Sequence, residues 1–207
     1  MNIDKKLERY VEQNIFSQYK LNDKAHQIDH IKYVIKRCFK FSKNMNVDDN
    51  MLYVIAAYHD IGHHIDYKNH EKMSAEILYT DKNLRKFFSE KDLRIMKEAI
   101  EDHRASLTKD PRNIYGKILS SADRNIDVDD SLKRIYIYSK THFDKLNEEE
   151  TIEECYNHTL KKFGENGYAN FFVEDIDYNN YLMELRYLLN NKEEFIKRLK
   201  SLVNKIK

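Results

Sequence analysis

The stretch from Met51 to His64 reads MLYVIAAYHDIGHH. From Met51 to Tyr58 it is apolar or aromatic on nearly every side of a 3.6-residue turn, the pattern of a helix buried on most of its faces. The run then closes on HDIGHH, which puts His59 and Asp60 at the end of the most apolar helix in the chain. Helical neighbours point about 100° apart, so two adjacent ligands can flank one ion near the helix axis. On a strand they would face opposite sides. An unpaired Asp buried among so many apolar residues is costly, and a metal or a tightly bonded partner removes the cost. Gly62 reads as the terminator of this helix.

Working outward, the flanking segments are helical as well. Ile3, Leu7, Tyr10, Val11 and Ile15 recur at helical spacing. A second helix spans about Ala25 to Lys43 on the stripe Ile31, Val34, Ile35, Cys38 and Phe39, with His26 and His30 one turn apart near its start. The helix of the apolar run begins near Val47 and Asp48. Beyond the His-Asp doublet the pattern predicts helices over about 69–80, 81–88, 90–102, 113–125 and 130–143, then two longer ones over 148–163 and 178–206. The chain of 207 residues has 4 Gly and 1 Pro, too few for a sheet protein with many tight turns. No repeat or linker divides it, so the expectation is an all-α single domain over 1–207.

With 36 basic and 35 acidic residues, the formal net charge is +1, and no global field draws the chain to a nucleic acid duplex or to a membrane. Cys38 and Cys155 lie in apolar-periodic helical segments and read as buried free thiols. The opening MNIDKKLERYVEQNIF is amphipathic and lacks the apolar run of a signal peptide or membrane span, so a cytoplasmic location is expected.

Nine histidines are present, and seven of them fall between His26 and His103. His30 lies one turn before Val34, at the edge of its helix's apolar stripe, where it can point inward. Asp123 follows Ile118, Leu119 and two serines small enough for close helix packing. His30, His59, Asp60 and Asp123 together offer two imidazoles and two carboxylates, a set that suits Mn²⁺, Fe²⁺, Co²⁺, Ni²⁺ or Zn²⁺ with water in the open positions. Hydrolysis needs such positions, since a bound divalent ion lowers the pKa of its water to about 7 in favourable cases. Arg104, Arg124 and Lys145 are candidate phosphate contacts. Asp127, one turn after Asp123, is a candidate for orienting a ligand or water. His26 reads as a helix-end or supporting residue rather than a ligand.

The order His30, His59-Asp60, Asp123 resembles the H…HD…D signature of the HD superfamily. HQIDHIKYV is similar to that family's first helix, AAYHDIGHH to its central helix, and NHEKMSAEIL and SSADRNID to later segments. THFDKL resembles a string that follows them in one bacterial branch. The resemblance covers roughly Asp23 to Leu146. It implies an all-α HD-type helical bundle with additional C-terminal helices, the core over about 23–146 and the extension over about 147–207.

The same resemblance implies a metal-dependent phosphohydrolase acting on a phosphate ester or anhydride, commonly in a nucleotide or other small phosphorylated molecule. Its cofactor would be a divalent metal (Mn, Fe, Co, Ni, Zn or Mg), as one ion or two. His70 and His103 match positions that bind a second metal in some members. Asp60, His63 and Asp127 are then the catalytic candidates. His63 stands where many members carry Lys, and it could contact phosphate or shuttle a proton. The GYP string of the cyclic-dinucleotide branch does not follow the HD doublet, and HHID stands where the alarmone-hydrolase branch has an acidic pair, so neither of those substrates is indicated. Two alternatives are an HD-type di-iron oxygenase and a non-catalytic nucleotide-binding sensor. The sequence leaves room for a homodimer.

Overall fold

The computed structural model describes residues 2–22, 26–107 and 109–204. Among them are ten α-helices and no strand. The chain divides into two compact units, 1–124 with 171–173, and 125–170 with 174–207. The first unit contains every candidate metal ligand from His30 to Asp123.

The first unit contains α1 (Lys5–Asn14), a 3-10 turn (Phe16–Leu21), α2 (Ile28–Ser42) and α3 (Asp49–Tyr58). It continues with a 3-10 turn (Tyr67–Asn69), α4 (His70–Thr80), α5 (Glu90–Glu101) and α6 (Ile114–Ala122). The apolar run forms α3, and every residue from Met51 to Tyr58 is buried. The helix packs against α1, α2, α4, α5 and α6, which is why no charge falls between Met51 and Tyr58. Asp48 starts it by accepting a hydrogen bond from the Met51 amide. A capping box of Ser89 and Asp92 starts α5, and Asn113 caps α6.

Two local expectations change. Residues 81–88 form a turn with a short 3-10 segment (Leu84–Lys86) instead of a helix. The Asp81 carboxylate bonds the Asn83 amide at 2.9 Å and receives the hydroxyls of Tyr10 and Tyr58 at 2.5 and 2.7 Å. An aspartate bonded to nearby backbone competes with helix formation. Gly62 is not a left-handed helix terminator, since no glycine has positive φ among the described residues. It is required instead by close approach: a Cβ there would stand 2.7 Å from Met73 and from the Ser74 amide on α4. The second helix starts at Ile28, and Ala25 lies outside the described residues.

The second unit is built from α7 (Val128–His142), α8 (Glu148–Phe163), α9 (Ile176–Asn190) and α10 (Lys192–Val203). These four helices pack on one another and bury, among others, Leu132, Cys155, Tyr181, Leu185, Phe195 and Leu199. The single helix expected over 178–206 is two, broken at Asn191, whose backbone sits at φ −125°, ψ 73°. Ile206 lies outside the described residues. Cys38 and Cys155 are both buried and free. Among the described residues no helix is long and apolar enough to cross a membrane.

Candidate metal centre

His59 and Asp60 come immediately after the last residue of α3, and Asp123 immediately after that of α6. His103 follows α5 by two residues. Three helix C-termini, each a partial negative charge, thus deliver ligand-type side chains to one place, an arrangement that favours a cation. His30 arrives from the first turn of α2, and His70 opens α4.

Asp60 is the common element. Its Oδ2 lies 3.3 Å from His59 Nε2 and 3.6 Å from His30 Nε2. Its Oδ1 lies 3.5 Å from His70 Nε2 and 3.7 Å from His103 Nε2. Asp123 Oδ1 is 3.1 Å from His30 Nε2 and 3.8 Å from His59 Nε2. Ligand atoms that each sit about 2.0–2.2 Å from one ion are themselves about 3–3.5 Å apart at neighbouring positions. The separations here approach that spacing. His30, His59 and Asp60 form one group that could hold a cation, and Asp60, His70 and His103 form another.

The imidazoles are also turned for ligation. Nδ1 bonds the carbonyl three residues earlier in His59 (Ala56, 2.9 Å), His70 (Tyr67, 3.2 Å) and His103 (Ile100, 2.6 Å). A carbonyl only accepts, so the proton belongs on Nδ1 and the Nε2 lone pair faces the carboxylates. His30 Nε2 and His59 Nε2 are buried without a hydrogen-bond partner. Buried polar atoms seldom stay unpaired, and a cation between them would satisfy both.

The charge balance leads to the same requirement. Burial opposes ionisation of Asp60, yet His59 and His103 hold its carboxyl well below the usual range. Burial likewise opposes charge on Asp123, and His30 and His59 outweigh it. Burial disfavours a charged His59, but Asp60 and Asp123 draw a proton onto it. Two buried carboxylates thus demand positive charge, from a proton or from a metal. Burial, outweighing the nearby Asp60, pushes His70 down to about 4, so its ring is neutral at pH 7 and free to ligate. His59, Asp60 and His103 form the floor of the cluster, while Asp123, with 22% of its side chain exposed, forms part of its open side.

The other candidates fall in varied surroundings. His63 is buried, stacked face to face on His26 at 4.0 Å and 5.4 Å from the His70 ring. Arg104 donates to the Lys68 carbonyl at 2.5 Å and lies 3.4 Å from Glu71, beside His70. Arg124 is buried, and its guanidinium bonds Ser120 Oγ at 2.7 Å and the His103 carbonyl at 3.4 Å. That position supports the backbone of His103 rather than presenting a charge to solvent. Asp127, expected to orient a ligand or water, caps α7 by accepting from the Asp130 amide at 2.8 Å. Lys145 is exposed on the turn between α7 and α8, in the second unit.

Arg37 is a contributor that sequence spacing does not single out. From α2 it donates to the carbonyls of Ala122, at 3.1 Å, and of Arg124, on either side of Asp123. It thereby ties the helix of His30 to the end of α6. In sequence it is one more charge on an amphipathic helix.

The family model of the HD domain matches residues 28–125. Residues 28–125 are an HD domain. All six histidine and aspartate residues of the cluster fall inside the matched span. The chain is also similar to the crystal structure of a predicted HD superfamily hydrolase from an uncultured Thermotogales bacterium, at 22% identity and a TM-score of 0.50. The similarity covers 74% of this chain and 87% of that one, and it speaks for the fold. No curated protein matches the sequence.

Proposed function

We propose that this HD-domain protein is a metal-dependent phosphohydrolase that cleaves a phosphate ester or anhydride of a nucleotide or another small phosphorylated metabolite. The observation that carries this reading is Asp60, whose two oxygens face two separate histidine groups. His30, His59, Asp60 and Asp123 would hold one divalent cation, and His70 and His103, with the second oxygen of Asp60, another. The solved neighbour is described as a predicted hydrolase of the same superfamily, which supports hydrolysis here.

A divalent cation held there supplies Lewis acidity, charge neutralisation toward a phosphoryl group and a water of lowered pKa. The chain does the positioning. The carbonyls of Ala56, Tyr67 and Ile100 fix three imidazole tautomers. Arg104, next in sequence to His103 and in contact with Glu71, offers a guanidinium to a phosphate at the rim. His63, packed between His26 and His70, would pass a proton.

The test is metal analysis of untagged protein, then a phosphatase screen over nucleotides and phosphate esters with Mn²⁺, Co²⁺ or Zn²⁺. His59→Ala and Asp60→Ala should abolish metal-dependent turnover while helix content by circular dichroism stays unchanged. Full turnover in either variant would refute the proposal. The shared Asp60 also suits a di-iron oxygenase, and turnover with Mn²⁺ or Co²⁺ in the absence of O₂ excludes that alternative.

A further inference from the structure

The end of α3 is completed by side chains outside the candidate ligand set. In a continuing helix the Ile61 amide would serve the Ala57 carbonyl, but it turns to Tyr58 O at 3.1 Å. The Ala57 carbonyl therefore needs another donor. The Tyr19 hydroxyl supplies it at 2.8 Å, from a ring that is itself buried.

Asn22, three residues further on, is 5% exposed and uses both ends of its amide. Its Nδ2 donates to the carbonyls of Asp60 at 2.9 Å and His26 at 3.1 Å. Its Oδ1 accepts from the His64 amide at 3.2 Å and lies 3.0 Å from His64 Nδ1. A buried amide with all its capacity spent has a fixed orientation and rigidifies whatever it joins. Asn22 joins three pieces of backbone: the close of the Phe16–Leu21 turn, the approach to α2 at His26, and the turn that carries Asp60. His30 lies one helical turn beyond His26.

We propose that Asn22, assisted by Tyr19, is a positioning brace that sets the spacing between His30 and the His59-Asp60 pair. The inference rests on the metal-centre reading above. It assigns to the N-terminal 3-10 turn a role in metal affinity that none of the ligand-type residues reveals.

The test uses the full chain, stripped of metal, in calorimetric titrations with Mn²⁺. Asn22→Ala should weaken binding by about 10–100-fold, the usual cost of removing a group that orients ligands. Tyr19→Phe, which removes one hydroxyl, should weaken it less and provides the reading if Asn22→Ala fails to fold. Ser89→Ala, which breaks the capping box at the far end of α5, should lower the melting temperature but leave Mn²⁺ affinity unchanged. In metal-free protein, hydrogen exchange at Ile61 and His64 should quicken in Asn22→Ala ahead of α3.

Wild-type affinity in Asn22→Ala, or an equal loss in Ser89→Ala, would overturn the brace. If the unaltered chain binds no Mn²⁺, the metal-centre reading fails by itself. Exchange then decides, and unchanged rates at Ile61 and His64 in Asn22→Ala overturn the brace.

Discussion

Replacing Gly62 with alanine should damage stability and metal binding together, by an amount the contacts set. The backbone of Gly62 lies so close to α4 that a Cβ would stand 2.7 Å from Met73 Cβ, Met73 Cγ and Ser74 N. Ordinary contact begins at 3.4 Å, so the turn and α4 must part by about 0.7 Å. The hydrogen bond from Gly62 N to Ser74 Oγ, now 3.0 Å, would lengthen to about 3.7 Å and be lost. Backbone strain plays no part, because φ of Gly62 is not positive. Overpacking costs about 1–3 kcal/mol and the lost bond about 1 kcal/mol, which together lower Tm by roughly 4–16 °C. The same displacement separates Asp60 Oδ1 from His70 Nε2, now 3.5 Å apart, whereas metal–ligand distances hold within about 0.2 Å. Calorimetric melting of metal-free Gly62→Ala and its titration with Mn²⁺ measure both effects. A variant with wild-type Tm and unchanged Mn²⁺ stoichiometry would refute the reasoning.

The metal-free protein should lose stability as pH rises from about 6.5, the unfolded-state value for His. Burial opposes charge on His59, but Asp60 and Asp123 raise its pKa on balance, so the folded state holds a proton that the unfolded state releases. Added Mn²⁺ should displace that proton and reverse the trend, which denaturant titrations at several pH values would show. On the acid side, the depressed carboxyls of Asp60 and Asp123 should cost stability as pH falls below about 4, visible in the same titrations. Both thiols should resist a disulfide reagent until the chain is unfolded, since burial raises the pKa of Cys38 and of Cys155. Rapid labelling of either under native conditions would contradict their placement.

Much of the site was legible because its residues sit at features that sequence displays. A run of apolar residues ending abruptly in His59-Asp60 announces both a central helix and a polar group that needs a partner. His30 and Asp123 lie beside apolar stripes of their own, and the structure brings all of them together with His70 and His103. What stayed hidden depends on backbone detail. Asp127 looks like a second carboxylate one turn beyond Asp123, and its part as the cap of α7 depends on where that helix starts. Arg124 reads as a free cation because its acceptors, Ser120 and a carbonyl, carry no signature at that spacing. Asn22 carries no signature in the sequence, because its four contacts are set by chain folding alone. The turn over 81–88 has apolar spacing that mimics a helix, and it yields to the tyrosine hydroxyls that converge on Asp81. The break at Asn191 has neither Gly nor Pro to mark it.

Crystals grown with Mn²⁺ and measured for anomalous scattering would test the shared centre most directly. The account predicts a peak within about 2.0–2.3 Å of His30 Nε2, His59 Nε2, Asp60 Oδ2 and an oxygen of Asp123. A peak elsewhere on the surface, with Asp123 turned away from the two histidines and nothing bound between them, would contradict it.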